Sequence, residues 1–166
     1  VTTGSKSVSV STGKRSVAVN TGCCSVSSNE GSTSIAANTG DQSATVNTGD
    51  QSMAFCSGLR SAAVNAGKGS IAACLGDLSA AVTTGAQSVV VNIGARSAAI
   101  ASKDESVAMA IGHESKAKGS KGCWLVLGEK NRHGDLLDVQ CRKVDGVVIK
   151  EDTFYMLVDG KFVEVK

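Results

Sequence analysis

Residues 39–56 read TGDQSATVN-TGDQSMAFC, two successive blocks of nine residues that both begin Thr-Gly-Asp-Gln-Ser. The same pattern runs from Thr3 to Gly119 as thirteen consecutive blocks without an insertion. Position 5 of the block is Ser in all thirteen, and position 2 is Gly in every block except the one that contains Lys103. Position 7 is nearly always Ala, Ser or Thr, and position 9 is often Asn. Such an internal repeat predicts a stack of geometrically equivalent units.

Each block has the features of a short strand followed by a turn. Positions 5 to 8, for example SVAV at residues 16–19, alternate small polar and apolar side chains with the period of two that is typical of a strand. The Asn-Thr-Gly that often follows interrupts the strand, with Gly supplying either a positive φ or room for close backbone approach. Repeated short strands without a helical period predict an all-β fold, a β-solenoid.

Side-chain size predicts how many blocks complete one turn of the solenoid. From the fifth block to the eleventh, position 6 is Ala in odd-numbered blocks and large in even-numbered blocks. At position 1, Leu75, Ile93 and Ile111 recur at a spacing of 18, as a stacked column should. We therefore predict a two-sheet β-roll with two blocks, about 18 residues, per turn. At about 4.8 Å between strands, six and a half turns give a rod roughly 30 Å long.

The distribution of apolar residues leads to a prediction of the buried face. Positions 6 and 8 carry the larger apolar side chains, including Phe55 and Ile71, so we expect them in the core. Positions 5 and 7 then face outward as a flat surface of Ser and Ala, and the charges concentrate in the turns at positions 3 and 4. We expect this flat surface to be an assembly face. Its predicted members are Ser43, Thr45, Ser61, Ala63, Ser79, Ala81, Ser97 and Ala99.

The composition changes at Gly122, where the repeat stops. Four of the five aromatic residues lie beyond it, in a segment with strand and turn patterns. We predict a β-solenoid over residues 1–120 and a C-terminal β-hairpin capping domain over residues 121–166, because a repeat stack needs a cap on its exposed hydrophobic end. The predicted strands of the cap are 123–128, 136–143, 147–149, 153–158 and 161–165.

Composition and charge exclude several functional classes. With 42% hydrophobic residues, 19% charged residues and a net charge of +2, the chain lacks the signature of disorder. The near-neutral charge gives no basis for nucleic-acid binding. No apolar run approaches the roughly 18 residues of a membrane span, so we expect no membrane insertion.

Side chains able to perform chemistry are few. Position 3 is Asp in only four blocks (Asp41, Asp50, Asp77 and Asp104), too few for a calcium cage in every turn. The only histidines are His113 and His133, both in expected turns and expected to be solvated. The Ser column forms a structural ladder, since an activated nucleophile needs a base and an orienting group. We therefore predict no catalytic residue, no metal site and no cofactor.

The six cysteines follow no complete pairing scheme. Cys56 and Cys74 both occupy position 9, and 18 residues per turn stacks them with Cα atoms about 4.8 Å apart, within disulfide range. We favour the alternative, in which two small apolar residues replace Asn in a ladder. Cys23 and Cys24 are adjacent in one turn, and Cys123 and Cys141 lie in the cap. The pairing and the redox compartment stay open.

Several segments carry a resemblance to a known group. The array is followed by GCWLVL at 122–127, KVDG at 143–146, DTFY at 152–155 and DGKF at 159–162. Together these resemble a group of uncharacterised bacterial and prophage-borne proteins, in which nonapeptide arrays of the type T-G-D-x-S-A-A-x-N end in a G-C-W-L-V-L segment. The core of the repeat is also similar to head repeats of trimeric autotransporter adhesins. The resemblance implies the solenoid architecture and no established activity.

The start of the chain bears on its partners. Val1 and Thr2 occupy positions 8 and 9 of an incomplete block, with no initiator Met and no signal peptide. We expect a processed or truncated end whose open strand edge meets an upstream domain or a docking partner.

These features predict a non-enzymatic structural protein that self-associates as a homo-oligomer or filament. It would act as a fibre segment, spacer or assembly subunit of phage origin, either a trimeric rod or a head-to-tail fibre. The alternative is a surface-binding module for ice, a glycan or a host protein. An extracellular or virion-associated location is favoured over the cytoplasm.

Overall fold

A computed structural model describes residues 1–165, and within them the fold is entirely β. Each nine-residue block contributes one four-residue strand at positions 6 to 9, and four longer strands follow. The strands are β1 (Val8–Ser11), β2 (Val17–Asn20), β3 (Val26–Asn29), β4 (Ile35–Asn38), β5 (Ala44–Asn47), β6 (Met53–Cys56), β7 (Ala62–Asn65), β8 (Ile71–Cys74), β9 (Ala80–Thr83), β10 (Val89–Asn92), β11 (Ala98–Ala101), β12 (Val107–Ala110), β13 (Lys116–Gly119), β14 (Trp124–Lys130), β15 (Leu136–Lys143), β16 (Phe154–Val158) and β17 (Lys161–Val165).

Alternate strands belong to two different sheets. The odd sheet has the order β1-β3-β5-β7-β9-β11-β13-β16-β17, and the even sheet has the order β15-β14-β12-β10-β8-β6-β4-β2. The repeat strands pair in parallel at a register of 18 residues, so Ala62 pairs with Ala44 on one side and Ala80 on the other. The predicted β-solenoid of about 18 residues per turn is confirmed, with about seven turns. The described residues include no helix long and apolar enough to span a membrane.

The direction in which the side chains point is the reverse of the prediction. From Ala18 onward positions 5, 7 and 9 are buried, while positions 6 and 8 face outward. In β7, for example, Ala63 is fully buried, whereas its neighbours Ala62 and Val64 are partly exposed. The reason is the thinness of the interior: the side-chain amide of Asn65 in the odd sheet reaches the carbonyl oxygens of Ser52 and Ile71 on the even side, at 2.9 and 3.3 Å. A space that one Asn side chain spans has no room for Ile, Met or Phe.

The inward Ser column forms a continuous hydrogen-bonded ladder. The backbone amide of Ser61 donates to Oγ of Ser79 one turn later at 3.0 Å, and this hydroxyl donates to the carbonyl of Gly58 at 3.2 Å. The same contacts recur from turn to turn, so buried hydroxyls and amides satisfy one another. This repeated geometry explains why position 5 is always Ser.

The buried Asn at position 9 fixes three successive half-turns. Besides its two amide contacts, Asn65 accepts the backbone amide of Gly67 through Oδ1 at 3.1 Å. Asn29, Asn38 and Asn47 hold their turns in the same way. Side-chain amides therefore take the place that apolar packing occupies in a thicker core.

Two positions of the turn have distinct backbone requirements. A Cβ atom on Gly67 would lie 2.0 Å from the carbonyl oxygen of Gly49, so Gly at position 2 serves close approach between stacked turns, the second of the two predicted roles. The positive φ falls instead on position 4, where Gln42, Arg60 and Leu78 have φ between 54° and 56°. At this position only the eighth block has Gly, namely Gly69 with φ of 65°.

The C-terminal end of the stack is closed by antiparallel strands. β14 continues the even sheet in parallel, with Trp124 paired to Val107, so the parallel stack extends beyond the predicted boundary at residue 120. β15 then pairs with β14, and the hairpin of β16 and β17 joins the odd sheet at β13. The side chains that close the end are buried: Cys123, Leu125, Leu127, Val144, Ile149, Tyr155 and Leu157.

One expected strand of the cap does not form. Residues 147–149 form a bend, because Oδ1 of Asp145 accepts the backbone amides of Val147, Val148 and Ile149 at 2.8 to 3.0 Å. These three hydrogen bonds hold the pKa of Asp145 below its ordinary value.

Candidate assembly surface

The predicted assembly face is inside the molecule. None of its eight residues is more than 3% exposed, which excludes them from any contact with a partner in the folded chain. This set of residues is therefore corrected: Ser43, Thr45, Ser61, Ala63, Ser79, Ala81, Ser97 and Ala99 all lie in the buried ladder. The prediction failed because it ranked side chains by hydrophobicity, whereas the interior selects them by size and hydrogen bonding.

The residues expected in the core form the outer surface. Ile71 is 37% exposed and Phe55 is partly exposed, both on the even sheet. We call the outward side of β2 to β12 in this sheet the even face, made of positions 6 and 8 and the position 1 that follows each strand. Its members are Val17, Val19, Thr21, Ile35, Ala37, Thr39, Met53, Phe55, Ser57, Ile71, Ala73, Leu75, Val89, Val91, Ile93, Val107, Met109 and Ile111. None of them carries a charge.

The third column of the even face, position 1, includes exposed aliphatic side chains. Leu75 and Ile93 are 44% and 43% exposed, and strand alternation places position 1 on the same side as positions 6 and 8. The column continues into the cap: a Cβ atom on Gly128 would lie 2.7 Å from Ile111 Cγ2 and 3.2 Å from Leu136 Cδ1. The predicted aliphatic column at spacing 18 therefore exists, but at the surface.

The outward side of the odd sheet differs in size and charge. We call it the odd face, made of the same positions along β1 to β13. From β5 to β11 its position 6 is always Ala, beside Val46, Val64, Val82 and Ile100 at position 8. At its end, Nζ atoms of Lys116 and Lys118 lie 4.6 and 5.1 Å from the ring centroid of Phe154. The odd face therefore ends in two positive charges beside the cap.

The turns carry the charges, as the sequence predicts. Carboxylates of Asp41, Asp50 and Asp77 each accept a backbone amide of the next turn at 2.7 to 2.8 Å. Arg96 Nε donates to Glu114 Oε2 at 2.9 Å, and this contact together with the charge of Arg96 lowers the pKa of Glu114. These groups are exposed, so they contribute more to solubility than to stability.

The stacked cysteines are where the sequence places them. Cys56 and Cys74 have Cα atoms 4.8 Å apart, are fully buried and form a disulfide. The predicted stacking is confirmed, whereas the favoured unpaired state is not. Cys23, Cys24 and Cys141 are free and exposed. Cys123 is buried in line with the Ser ladder, and burial raises the pKa of its thiol.

Groups with catalytic or metal-binding potential remain dispersed. His113 is partly buried rather than solvated, with Nδ1 2.9 Å from the carbonyl oxygen of Lys130. His133 lies exposed in the turn between β14 and β15, where its amide donates to Asn131 Oδ1. Among residues 1–165, no group of three or more His, Cys, Asp or Glu side chains is arranged to hold a metal ion.

Comparison with protein-family models, with curated proteins and with solved structures gives no match to this chain.

A signal for the true orientation exists in the sequence. Position 5 is always Ser, position 7 is nearly always Ala, Ser or Thr, and position 9 is never larger than Asn, whereas positions 6 and 8 vary in size up to Met, Phe and Lys. Identical geometry in every turn limits the size of inward side chains most tightly, so an upper size limit kept in all thirteen blocks marks the buried positions. Once these positions are placed inside, the hydrogen bonds of Ser and Asn to neighbouring turns follow.

Proposed function

We propose that this chain is a non-enzymatic structural subunit that self-associates through the even face, as a fibre segment, spacer or assembly component of phage origin. The observation that carries the proposal is the absence of any charged side chain among the residues of the even face. A contiguous apolar surface of this size is typical of an interface. The resemblance to prophage-borne repeat proteins supports the same role.

The disulfide supports a location outside the reducing cytoplasm. Structural disulfides persist in oxidising environments and are rare where thiols are kept reduced. The buried Cys56–Cys74 pair thus agrees with an extracellular or virion-associated subunit.

The experiment is sedimentation equilibrium over a concentration series, with Cys23, Cys24 and Cys141 replaced by Ser to exclude adventitious cross-links. We expect a mass above 16.7 kDa that rises with concentration. Ile71→Lys on the even face should give a folded monomer, while the matched control Ala62→Lys on the odd face should associate like the parent. A 16.7 kDa monomer at every concentration would contradict the proposal.

A second function is favoured by one specific observation. Trp124 is 44% exposed beside the even face, and Phe55 is partly exposed on it. Exposed aromatic rings can stack on sugars, so a glycan-binding module is the alternative. In that case the chain stays monomeric. The Trp124→Ala variant should no longer bind to a glycan array, although its thermal stability is unchanged.

A further inference from the structure

We infer that two copies of the chain pair even face to even face with their rods antiparallel, so that Phe55 of each copy packs over Ala73 of the other. This inference rests on the proposed function and specifies its partner and its geometry. The partner is a second copy because the even face carries no charge and is apolar except for Thr21, Thr39 and Ser57 at one edge, and the surface that matches it best in this chain is the same face.

The odd face is a poorer partner for the even face. It includes Glu30 in its position 1 column, and Lys116 and Lys118 close its end. Pairing the even face with the odd face would bring these charges against apolar side chains, at the cost of their hydration. Such head-to-tail contacts would also propagate without limit, whereas pairing of identical faces closes at two copies.

Two copies can pair these faces symmetrically with their rods either parallel or antiparallel, and the side-chain sizes on the even face favour one of the two. Its central column is position 8, in which Ala37, Phe55 and Ala73 follow one another on β4, β6 and β8. Phe55 therefore stands out between two small residues. With the rods parallel, the two-fold axis runs along this column, so Phe55 faces Phe55 and both alanines face gaps. With the rods antiparallel, Phe55 of one copy fills the gap over Ala73 of the other.

The antiparallel arrangement also matches the extent of the even face. A two-fold axis between β6 and β8 places β2 over β12 and β4 over β10 of the second copy. All six strands of the charge-free surface are then covered, and the capped ends project beyond the contact. Strand order and side-chain size thus point to the same axis.

The area is sufficient for a reversible dimer. Six strands about 4.8 Å apart span about 30 Å along the rod. Five residues at about 3.3 Å per residue span about 17 Å along each strand. Two such faces bury roughly 1,000 Å² in total, near the lower limit for a specific interface. We therefore expect a dimer that dissociates on dilution.

Cross-linking in mixtures tests the geometry. In the chain with Cys23, Cys24 and Cys141 replaced by Ser, we introduce Val19→Cys in one sample and Met109→Cys in another. These positions lie in the central column on β2 and β12. A short bismaleimide should join the two variants only when they are mixed, and neither variant to itself. Val46→Cys and Val82→Cys on the odd face are the control pair and should give no cross-linked dimer.

The other outcomes separate the two proposals. Cross-linking of Val19→Cys with itself would show parallel rods and overturn the inference, while leaving self-association intact. A dimer by sedimentation without cross-links at either position would place the interface elsewhere and also overturn it. A monomer by sedimentation would overturn both this inference and the proposed function.

Discussion

The inside of the solenoid is lined by small and polar side chains, whereas its outside carries the large apolar ones. The buried ladder consists of Ser, Asn and small residues such as Ala63, while Ile71, Met53 and Phe55 stand on the outer surface. In a thick core, apolar side chains fill the space between elements. Here the two sheets are so close that hydrogen bonds between stacked turns replace that filling. In a thin solenoid, therefore, the thickness of the interior decides which residues are buried, and hydrophobicity comes second.

The largest effect should separate two adjacent alanines on β7. Ala63→Lys places a charge in the fully buried ladder and should cost more than about 4 kcal/mol, enough to prevent folding of the surrounding turns. Ala62→Lys points outward and should change the free energy of unfolding by less than about 1 kcal/mol. Denaturant titration followed by circular dichroism measures both. Equal losses for the two variants would contradict the assigned orientation.

Glycines of the turns should differ for the same geometric reason. Gly67→Ala brings a Cβ atom to 2.0 Å from the Gly49 carbonyl oxygen, and we expect a loss of more than about 3 kcal/mol. Gly69→Ala meets no atom closer than 3.9 Å and should cost only about 1 kcal/mol for its positive φ. Thermal unfolding of the pair checks this order, and a reversal of the two would be inconsistent with close stacking of the turns.

The disulfide links two turns inside the ladder, and its loss should have an intermediate effect. For a separation of 18 residues, removing the cross-link should cost about 3 kcal/mol. Unfolding in urea with and without reductant measures this cost. The double variant Cys56→Ser, Cys74→Ser serves as control, because its midpoint should not respond to reductant. If the parent is equally insensitive, the cross-link is absent in solution.

The smallest effect belongs to the exposed turns. Arg96 lowers the pKa of Glu114, so the contribution of this pair to stability is present above the ordinary Glu pKa and is lost as the pH falls through the lowered value. An NMR titration of the Glu114 carboxyl carbon should therefore give a midpoint below that of an ordinary Glu. Arg96→Gln should move the midpoint upward, and an unchanged midpoint would show that the ion pair does not form.

The sequence predicted the stacking but not the orientation. The spacing of Cys56 and Cys74 and the column Leu75, Ile93 and Ile111 follow directly from 18 residues per turn, and both are present. The alternation of Ala and large residues at position 6 predicted the correct number of residues per turn from an incorrect premise, namely that the two kinds of side chain face each other in the core. They lie on opposite outer faces and never meet. The distance between the sheets, which settles the matter, is set by Asn and Ser contacts across turns that a linear sequence does not display.

The cap shows a second limit of prediction from sequence. Its hairpins follow from turn residues, and most of their expected spans agree with β14 to β17. Residues 147–149 have a strand-like composition, yet Asp145 draws their amides into a bend. A single carboxylate with three local donors therefore prevents the pairing that the apolar residues favour.

The orientation of the strands is tested most directly by the thiol reactivity of two adjacent engineered cysteines in the folded chain. Ala62→Cys and Ala63→Cys are made separately in the background that lacks Cys23, Cys24 and Cys141, and each is labelled with a maleimide. With position 6 outward and position 7 inward, Ala62→Cys should label rapidly in the native state and Ala63→Cys only after denaturation. Protection of Ala62→Cys together with rapid native labelling of Ala63→Cys would contradict the inverted solenoid.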